Sequence, residues 1–329
     1  MSNSNQAEQI INRFKDLTVL IIGDIMIDSY LWGVTERVSP EAPVPIVNVT
    51  KKEHRMGGAA NVALNIKALG ATPIICTVIG ADEMAMVYSE LLRNSEMSDQ
   101  GVLVSSERVT SQKTRIISHN QQVVRIDEEK IEDLDDKDET RIIERIITLF
   151  DSVKPDVIIF EDYNKGVLTK KVINQTLIEA NKRNVPSSVD PKKHNFFEYR
   201  NATLFKPNLK EFVEGLKLNN PPESIDEWKS GIESLREKLG HRFTFVTLSE
   251  QGVLIEENGK VEILPAHLRN IADVSGAGDT VISVASLCLA LGTSPELLAE
   301  LANLAGGLVC EKSGVVPISQ NELINELKK

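Results

Sequence analysis

Cysteine is scarce in this 329-residue chain: Cys76, Cys288 and Cys310 lie far apart in apolar stretches. That spacing excludes a disulfide framework and any Cys-x-x-Cys metal or redox site. The five histidines form no His-x-x-x-His pair, which argues against zinc. No apolar run reaches the length of a bilayer span. The polar start, Ser2 to Gln9, does not read as a secretory leader, so a cytoplasmic protein is expected. Basic residues are outnumbered, 37 against 48 acidic, for a net charge of −11. That excludes broad binding to nucleic acid or anionic membranes, but a pocket can still be locally basic. Gly-x-x-x-x-Gly-Lys-Ser/Thr is absent, so a standard P-loop is excluded.

What is present is an ordinary globular composition, 41% hydrophobic and 26% charged. Short β-rich apolar runs alternate with amphipathic stretches. Strands are expected at Val19 to Ile22, Ile74 to Ile79, Val157 to Phe160, Val185 to Val189 and Phe243 to Leu248. Helices are expected at Gly58 to Leu69, Glu83 to Arg93, Arg141 to Phe150 and Thr169 to Arg183. This alternation predicts an α/β fold with a mostly parallel sheet covered on both faces, and a ligand site beyond the carboxyl ends of its strands. Ser294-Pro295 and Ser319-x-x-Glu322 mark late helix starts. Glu128 to Glu139 reads as an acidic, solvated connector.

Two segments break the alternation. Tyr30 to Val49 is rich in proline and β-formers, and Thr114 to Ile126 alternates around an Asn120-Gln121 turn. They form either a small β-sheet serving as a lid or dimer contact, or two surface hairpins.

The most informative stretch is Asp273-Val-Ser-Gly-Ala-Gly-Asp-Thr280, followed by the apolar run Val281 to Leu291. Gly276, Ala277 and Gly278 allow the backbone to curl with its N–H groups inward, and a following helix adds free N–H groups and the positive end of its dipole. Together they make an anion site, typically for phosphate. Asp279 is a carboxylate inside that site, as a base for phosphoryl transfer would be. The alternative is a loose Gly-x-Gly-x-x-Gly dinucleotide fingerprint. Its position near the C-terminus, after polar irregular sequence, counts against that.

Other motifs are ambiguous one at a time. Gly23-Asp24-Ile-Met-Ile-Asp28 could place carboxylates on sugar hydroxyls at a strand end, or form a turn. Gly57-Gly58-Ala-Ala-Asn61 could admit a ligand at a helix start, or simply begin the helix. Asn208 and Glu211 could hold Mg²⁺ through water, or form a helix cap with its box partner.

In order, these motifs resemble the ribokinase-like (PfkB) carbohydrate kinases, from about Leu17 to Leu327. Ser39 to Pro45, Gly57 to Ala63, Asp162 to Gly166, Val189 to Lys192, Pro207 to Glu211 and Ser249 to Gly252 narrow the resemblance. They look like the heptose-phosphate kinases of that family, which occur alone or as half of a bifunctional protein. The chain has no room for the second half, so it resembles the stand-alone form. The resemblance implies one ribokinase-like domain over 1–329, three-layered α/β/α, with a β lid from about 30–56 and 108–127 and a homodimer through that lid.

It also implies ATP-dependent phosphorylation of D-glycero-D-manno-heptose 7-phosphate at its anomeric hydroxyl, with ATP and Mg²⁺ required and a monovalent cation as a further candidate. By family position Asp279 is the base, and Gly276, Ala277 and Gly278 form the anion hole. Asn208, Leu209, Lys210, Glu211, Ser249, Gly252 and Asn303 hold the nucleotide, with Asn208 and Glu211 acting at Mg²⁺. Asp28, Gly57, Gly58, Asn61 and Asp162 hold the sugar. Its phosphate needs a cationic pocket, for which Arg115, Arg125, Lys165 and Lys192, with Lys193, are candidates; each could equally be a solvated surface cation. Another sugar, sugar-phosphate or nucleoside kinase, or a non-catalytic nucleotide- or sugar-sensing protein on the same fold, remains an alternative.

Overall fold

A computed structural model of the chain describes residues 3–119, 121–267, 269–312 and 314–328, with Asn3 and Ser4 described by backbone alone. Its strands are β1 (Thr18–Gly23), β2 (Ile25–Val38), β3 (Pro45–Gly58), β4 (Thr72–Gly80), β5 (Val102–Ser105), β6 (Gln112–Ser118) and β7 (Gln121–Glu128). They continue with β8 (Val157–Glu161), β9 (Ser187–Asp190), β10 (Leu204–Phe205), β11 (Phe243–Thr247), β12 (Val253–Glu257) and β13 (Lys260–Leu264). Nine of these form one sheet in the order β13-β12-β11-β10-β9-β8-β1-β4-β5. All its pairings are parallel except β11 with β12 and β12 with β13. A separate four-stranded sheet has the order β3-β2-β6-β7.

The central strands are buried on both faces, which is why they read as continuous apolar runs. Val19 and Ile21 of β1 pack into one core with helices Ala59–Ala68, Ala277–Ala290 and Pro295–Cys310. Leu20 and Ile22 point the other way, into a second core with helices Asp136–Val153, Lys170–Lys182 and Ile225–Leu239. The result is the expected three-layer α/β/α arrangement. Helix Ala277–Ala290 is apolar nearly all round because it lies inside the first core, with Val281, Ile282, Val284, Ala285, Leu287 and Cys288 all buried.

The strand order reverses at β1, which is flanked by β4 on one side and β8 on the other. Ligand crevices of open parallel sheets open at such a point, beyond the carboxyl ends of the strands. Here those ends are charged. Asp24 follows β1, Glu161 ends β8, Asp190 ends β9, and Lys206 follows β10. The register aligns Gly23 with Glu161 and Glu161 with Asp190.

Three expectations are corrected. Asp28 does not end a parallel strand; it lies within β2, in the second sheet, opposite Arg55 of β3. The acidic stretch is not all connector: Asp135 caps a helix that begins at Asp136, and Leu134 and Asp138 are buried. That helix begins before the expected Arg141 because Asp136, Asp138 and Glu139 suit its positive first turn, and it runs on past Phe150 to Val153. The hairpin at β6 and β7 forms, but Asn120 of its expected turn lies outside the described residues. Among the described residues no helix is long and apolar enough to cross a membrane.

The second sheet leaves the first at Asp24, between β1 and β2, and this carboxylate is 1% exposed. Its Oδ2 accepts the amide hydrogens of Tyr163 and Lys165 at 2.9 and 3.0 Å, and its Oδ1 that of Val167 at 3.0 Å. Burial, reinforced by Asp162, pushes its pKa up to about 6, while the three amides pull the other way. Asp24 therefore fixes the loop that presents Tyr163 to the crevice. Asp24→Ala would leave three amides unpaired, and it is expected to cost roughly 3 kcal/mol or more of folding stability in denaturant titration. A change within about 0.5 kcal/mol, the range of an ordinary surface substitution, would show that the loop is held by something else.

Candidate active site

Gly276 adopts a left-handed conformation, φ +79°, that a side-chain-bearing residue rarely takes, and the helix begins at Ala277. The first-turn amides have no carbonyl one turn back to bond, and the dipole is positive there. One expected donor is already used, because Ala277 N–H donates to Val274 O at 3.3 Å. A side chain at Gly278 would lie 3.9 Å from Asp190 Oδ2 and 4.0 Å from Lys206 Nζ, which places both groups beside the loop.

Asp279 is 7% exposed. Asn61 Nδ2 donates to its Oδ2 at 2.5 Å, and the Tyr163 hydroxyl donates to its Oδ1 at 3.1 Å. Asn61 comes from the helix after Gly57-Gly58, and that helix is tied to the Asp279 helix a second time. Thr280 Oγ1 donates to Asn65 Oδ1 at 2.8 Å, and Asn65 Nδ2 donates to Asn61 O at 2.9 Å. Burial raises the Asp279 pKa; Asn61 lowers it, Asp190 adds to the rise, and Tyr163 and Lys206 counter it. A dehydrated carboxylate whose pKa is raised by burial, with two donors that favour its ionised form, suits a general base.

Lys206 is 2% exposed and pairs with Asp190 at 2.8 Å. Lys192 lies 3.5 Å from Asp190 and 2.7 Å from Glu211, and also over the Tyr163 ring. Burial opposes the charge on Lys192, but Asp190 and Glu211 outweigh it and raise its pKa. Burial likewise opposes ionisation of Asp190, and the two lysines more than offset it, holding its pKa below the ordinary value. Lys192 thus links the strand-end acids to Asn208 and Glu211.

Those two residues form the full capping box. Asn208 Oδ1 accepts from Glu211 N at 2.8 Å, and Glu211 Oε2 accepts from Asn208 N at 2.9 Å. With Glu211 Oε1 on Lys192, both side chains have structural partners. Among the described residues no group of three or more His, Cys, Asp or Glu side chains could hold a metal ion. An amide and a carboxylate such as Asn208 and Glu211 fit a Mg²⁺ ion that keeps most of its waters and is bound largely by phosphates. Asn208, Leu209, Lys210 and Ser249 line one cleft of about 580 Å³ together with Val213, Glu214 and Pro221. Gly252 turns the chain into β12, and Asn303 Nδ2 donates to Pro265 O at 2.9 Å.

The sugar-side expectations divide. Asp28 Oδ1 accepts from Arg115 at 2.6 Å, and a side chain at Gly57 would meet Asp28 Oδ2 at 2.5 Å. Arg55 and Arg115 both lie over the Tyr30 ring. These residues line the second sheet next to Gly58 and the Asn61 helix. Asp162, by contrast, is 1% exposed, and its oxygens accept from Asn164 N, Tyr199 and Asn195. Arg125 pairs with Asp127, Lys165 with Glu129, and Lys193 with Glu214, so the charge of each is partly neutralised.

Tyr163, Lys206, Asp190 and Glu161 complete the site and were not singled out as site residues from sequence. Tyr163 and Asp190 stood inside two of the segments that carry the family resemblance, whereas Glu161 and Lys206 showed only as residues that end or follow an apolar strand.

A family model for pfkB family carbohydrate kinases matches residues 16–321. The chain is 41% identical over 318 residues to the bifunctional protein HldE of Koribacter versatilis (strain Ellin345), covering 96% of this chain and 64% of that protein. It is also 41% identical over 308 residues to the bifunctional protein HldE of Campylobacter jejuni subsp. jejuni serotype O:2, covering 93% and 63% respectively. The chain therefore spans less than two thirds of these relatives. Among solved structures, phosphofructokinase-2 from Escherichia coli in complex with potassium superposes with a TM-score of 0.77 at 17% identity, covering 95% of this chain and all of that one. Arabidopsis thaliana ribokinase complexed with ribose and ATP superposes with a TM-score of 0.73 at 17% identity, covering 95% and 99%.

The hydrogen bonds to Asp279 can be tested directly. Tyr163→Phe removes a donor that favours the ionised form, so the Asp279 titration, followed by carboxyl ¹³C NMR, is expected to move further up in pH. An unmoved or lowered titration would mean that the hydroxyl does not serve this carboxylate.

Proposed function

Because the chain belongs to the pfkB family of carbohydrate kinases, we propose that it transfers the γ-phosphoryl group of ATP to the anomeric hydroxyl of D-glycero-D-manno-heptose 7-phosphate. The product is heptose 1,7-bisphosphate, a precursor for ADP-heptose and the lipopolysaccharide core. The observation that carries the chemistry is Asp279, a buried carboxylate in the first turn of a helix, held by Asn61 and Tyr163 beside Lys206.

Asp279 takes the proton of the C1 hydroxyl as that oxygen attacks phosphorus. The free amides of the anion loop and the Lys206 ammonium meet the charge developing on the transferred group. The cleft lined by Asn208, Leu209, Lys210 and Ser249 takes the nucleotide. Glu211, next in sequence to the cleft residue Lys210 and paired with Lys192, would hold Mg²⁺ through water together with Asn208, and the ion would neutralise charge on the phosphates. Asp28 and Asn61 bind sugar hydroxyls. Arg115 is assigned to the 7-phosphate because it is paired with Asp28 on the sugar side and lies with Arg55 over the Tyr30 ring.

The second sheet acts as a lid over the crevice from which it grows. Val34, Val38, Val49, Val124 and Ile126 are exposed on it, a surface suited to a second copy. The choice of heptose rests on the six segments that resemble heptose-phosphate kinases and on the 41% identity to HldE proteins. A cytoplasmic location is part of this reading, because the reaction as proposed draws on ATP.

The test is ADP release with Mg·ATP across seven-, six- and five-carbon sugars and their phosphates. Turnover is expected with heptose 7-phosphate and little with free sugars. A preference for fructose 6-phosphate, ribose or a nucleoside would overturn the substrate assignment. Sedimentation should show a dimer that dissociates when Val38 and Val124 are replaced by aspartate; a wild-type monomer would contradict the lid contact.

A further inference from the structure

Glu161 is 1% exposed, and among the described residues neither of its carboxyl oxygens has a hydrogen-bond partner. It ends β8, aligned with Asp190 of β9 on one side and Gly23 of β1 on the other. The charged or titratable groups that face it are Asp190, Asp279, Lys192 and Lys206, with Tyr163 and Tyr199 nearby. Three buried carboxyl groups thus share two ammonium groups, and Lys192 is shared further with Glu211.

The partners are unevenly divided. Asp190 touches both ammonium groups. Asp279 has Asn61 and Tyr163. Glu161 has none of these. A dehydrated carboxylate without donors is far less favourable than a dehydrated acid, so a proton held by this cluster belongs on the group with the fewest partners.

We infer that Glu161 is a positioning residue: a neutral carboxylic acid beneath the anion loop, whose retained proton keeps a third negative charge away from Asp279 and from the incoming phosphates. Burial first, and then Asp190 and Asp279, hold its pKa well above the ordinary carboxylate value, with Lys192 and Lys206 only partly offsetting them. The neutral acid lets Asp279 remain the ionised member of the cluster at the reacting end. When Glu161 ionises, its charge opposes both the base and the triphosphate, so turnover falls on the alkaline side.

The inference rests on the kinase reading for its kinetic test alone. The stability sign follows from the raised pKa. Stability contributed by the protonated form is complete below the unfolded-state pKa and is lost as pH rises toward the folded value. Glu161→Gln, which cannot ionise, should match wild type in acid and exceed it at neutral pH by roughly 2–4 °C in melting temperature. A carbonyl infrared band of a protonated carboxylic acid should be present in wild type at neutral pH and absent from the variant. In the rate–pH profile, the variant should lose an alkaline limb along which wild-type turnover falls about tenfold per pH unit. Lower stability of Glu161→Gln at neutral pH, an unchanged infrared band, or superimposable rate profiles would overturn the proposal. The first two readouts decide it even if heptose 7-phosphate is not the substrate.

Discussion

Negative charge gathered in a dry crevice is the constraint around which this molecule is arranged. Asp24, Glu161, Asp190 and Asp279 are all buried, and they meet where parallel strands end. Each needs a compensating partner, because a buried charge without one is strongly unfavourable. Asp24 has three backbone amides, Asp190 has two lysines, and Asp279 has an amide and a phenol. Glu161 has none among the described residues, and its retained proton resolves the imbalance.

Those partners also build the site. The amides that satisfy Asp24 belong to the loop carrying Tyr163, so the clamp that starts the second sheet also aims the hydroxyl at Asp279. The lysine that satisfies Asp190 lies beside Gly278, where a phosphate would sit against the helix N-terminus. Lys192 joins Asp190 to Glu211 and so connects the acids at the strand ends to the capping box beside the proposed nucleotide cleft. One set of electrostatic contacts therefore couples three loops, each leaving a different strand.

Most of the fold was legible in the chain, because parallel strands buried on both faces leave continuous apolar runs between amphipathic helices. The anion loop and Asn61 were legible too, since glycine before a helix is a local pattern and Asn61 stands in a first turn. Glu161, Asp190 and Lys206 were not. They come from three strands far apart in sequence, and only the sheet order brings them together. Asp28 was placed at a strand end because nothing local shows that β2 continues for fourteen residues into a separate sheet. Arg125 and Lys165 have the composition of a phosphate pocket, but Asp127 and Glu129 lie close enough to pair with them, and sequence spacing does not reveal that.

The central claim is that Asp279 acts on a proton rather than on binding. The most direct measurement is single-turnover phosphoryl transfer by Asp279→Asn, with ATP affinity measured in parallel by calorimetry. The account predicts that transfer slows by roughly a hundredfold or more, the scale of general-base catalysis, while ATP binds at least as tightly as to wild type. Transfer at a near-normal rate, or loss of ATP binding equal to the loss of rate, would contradict it.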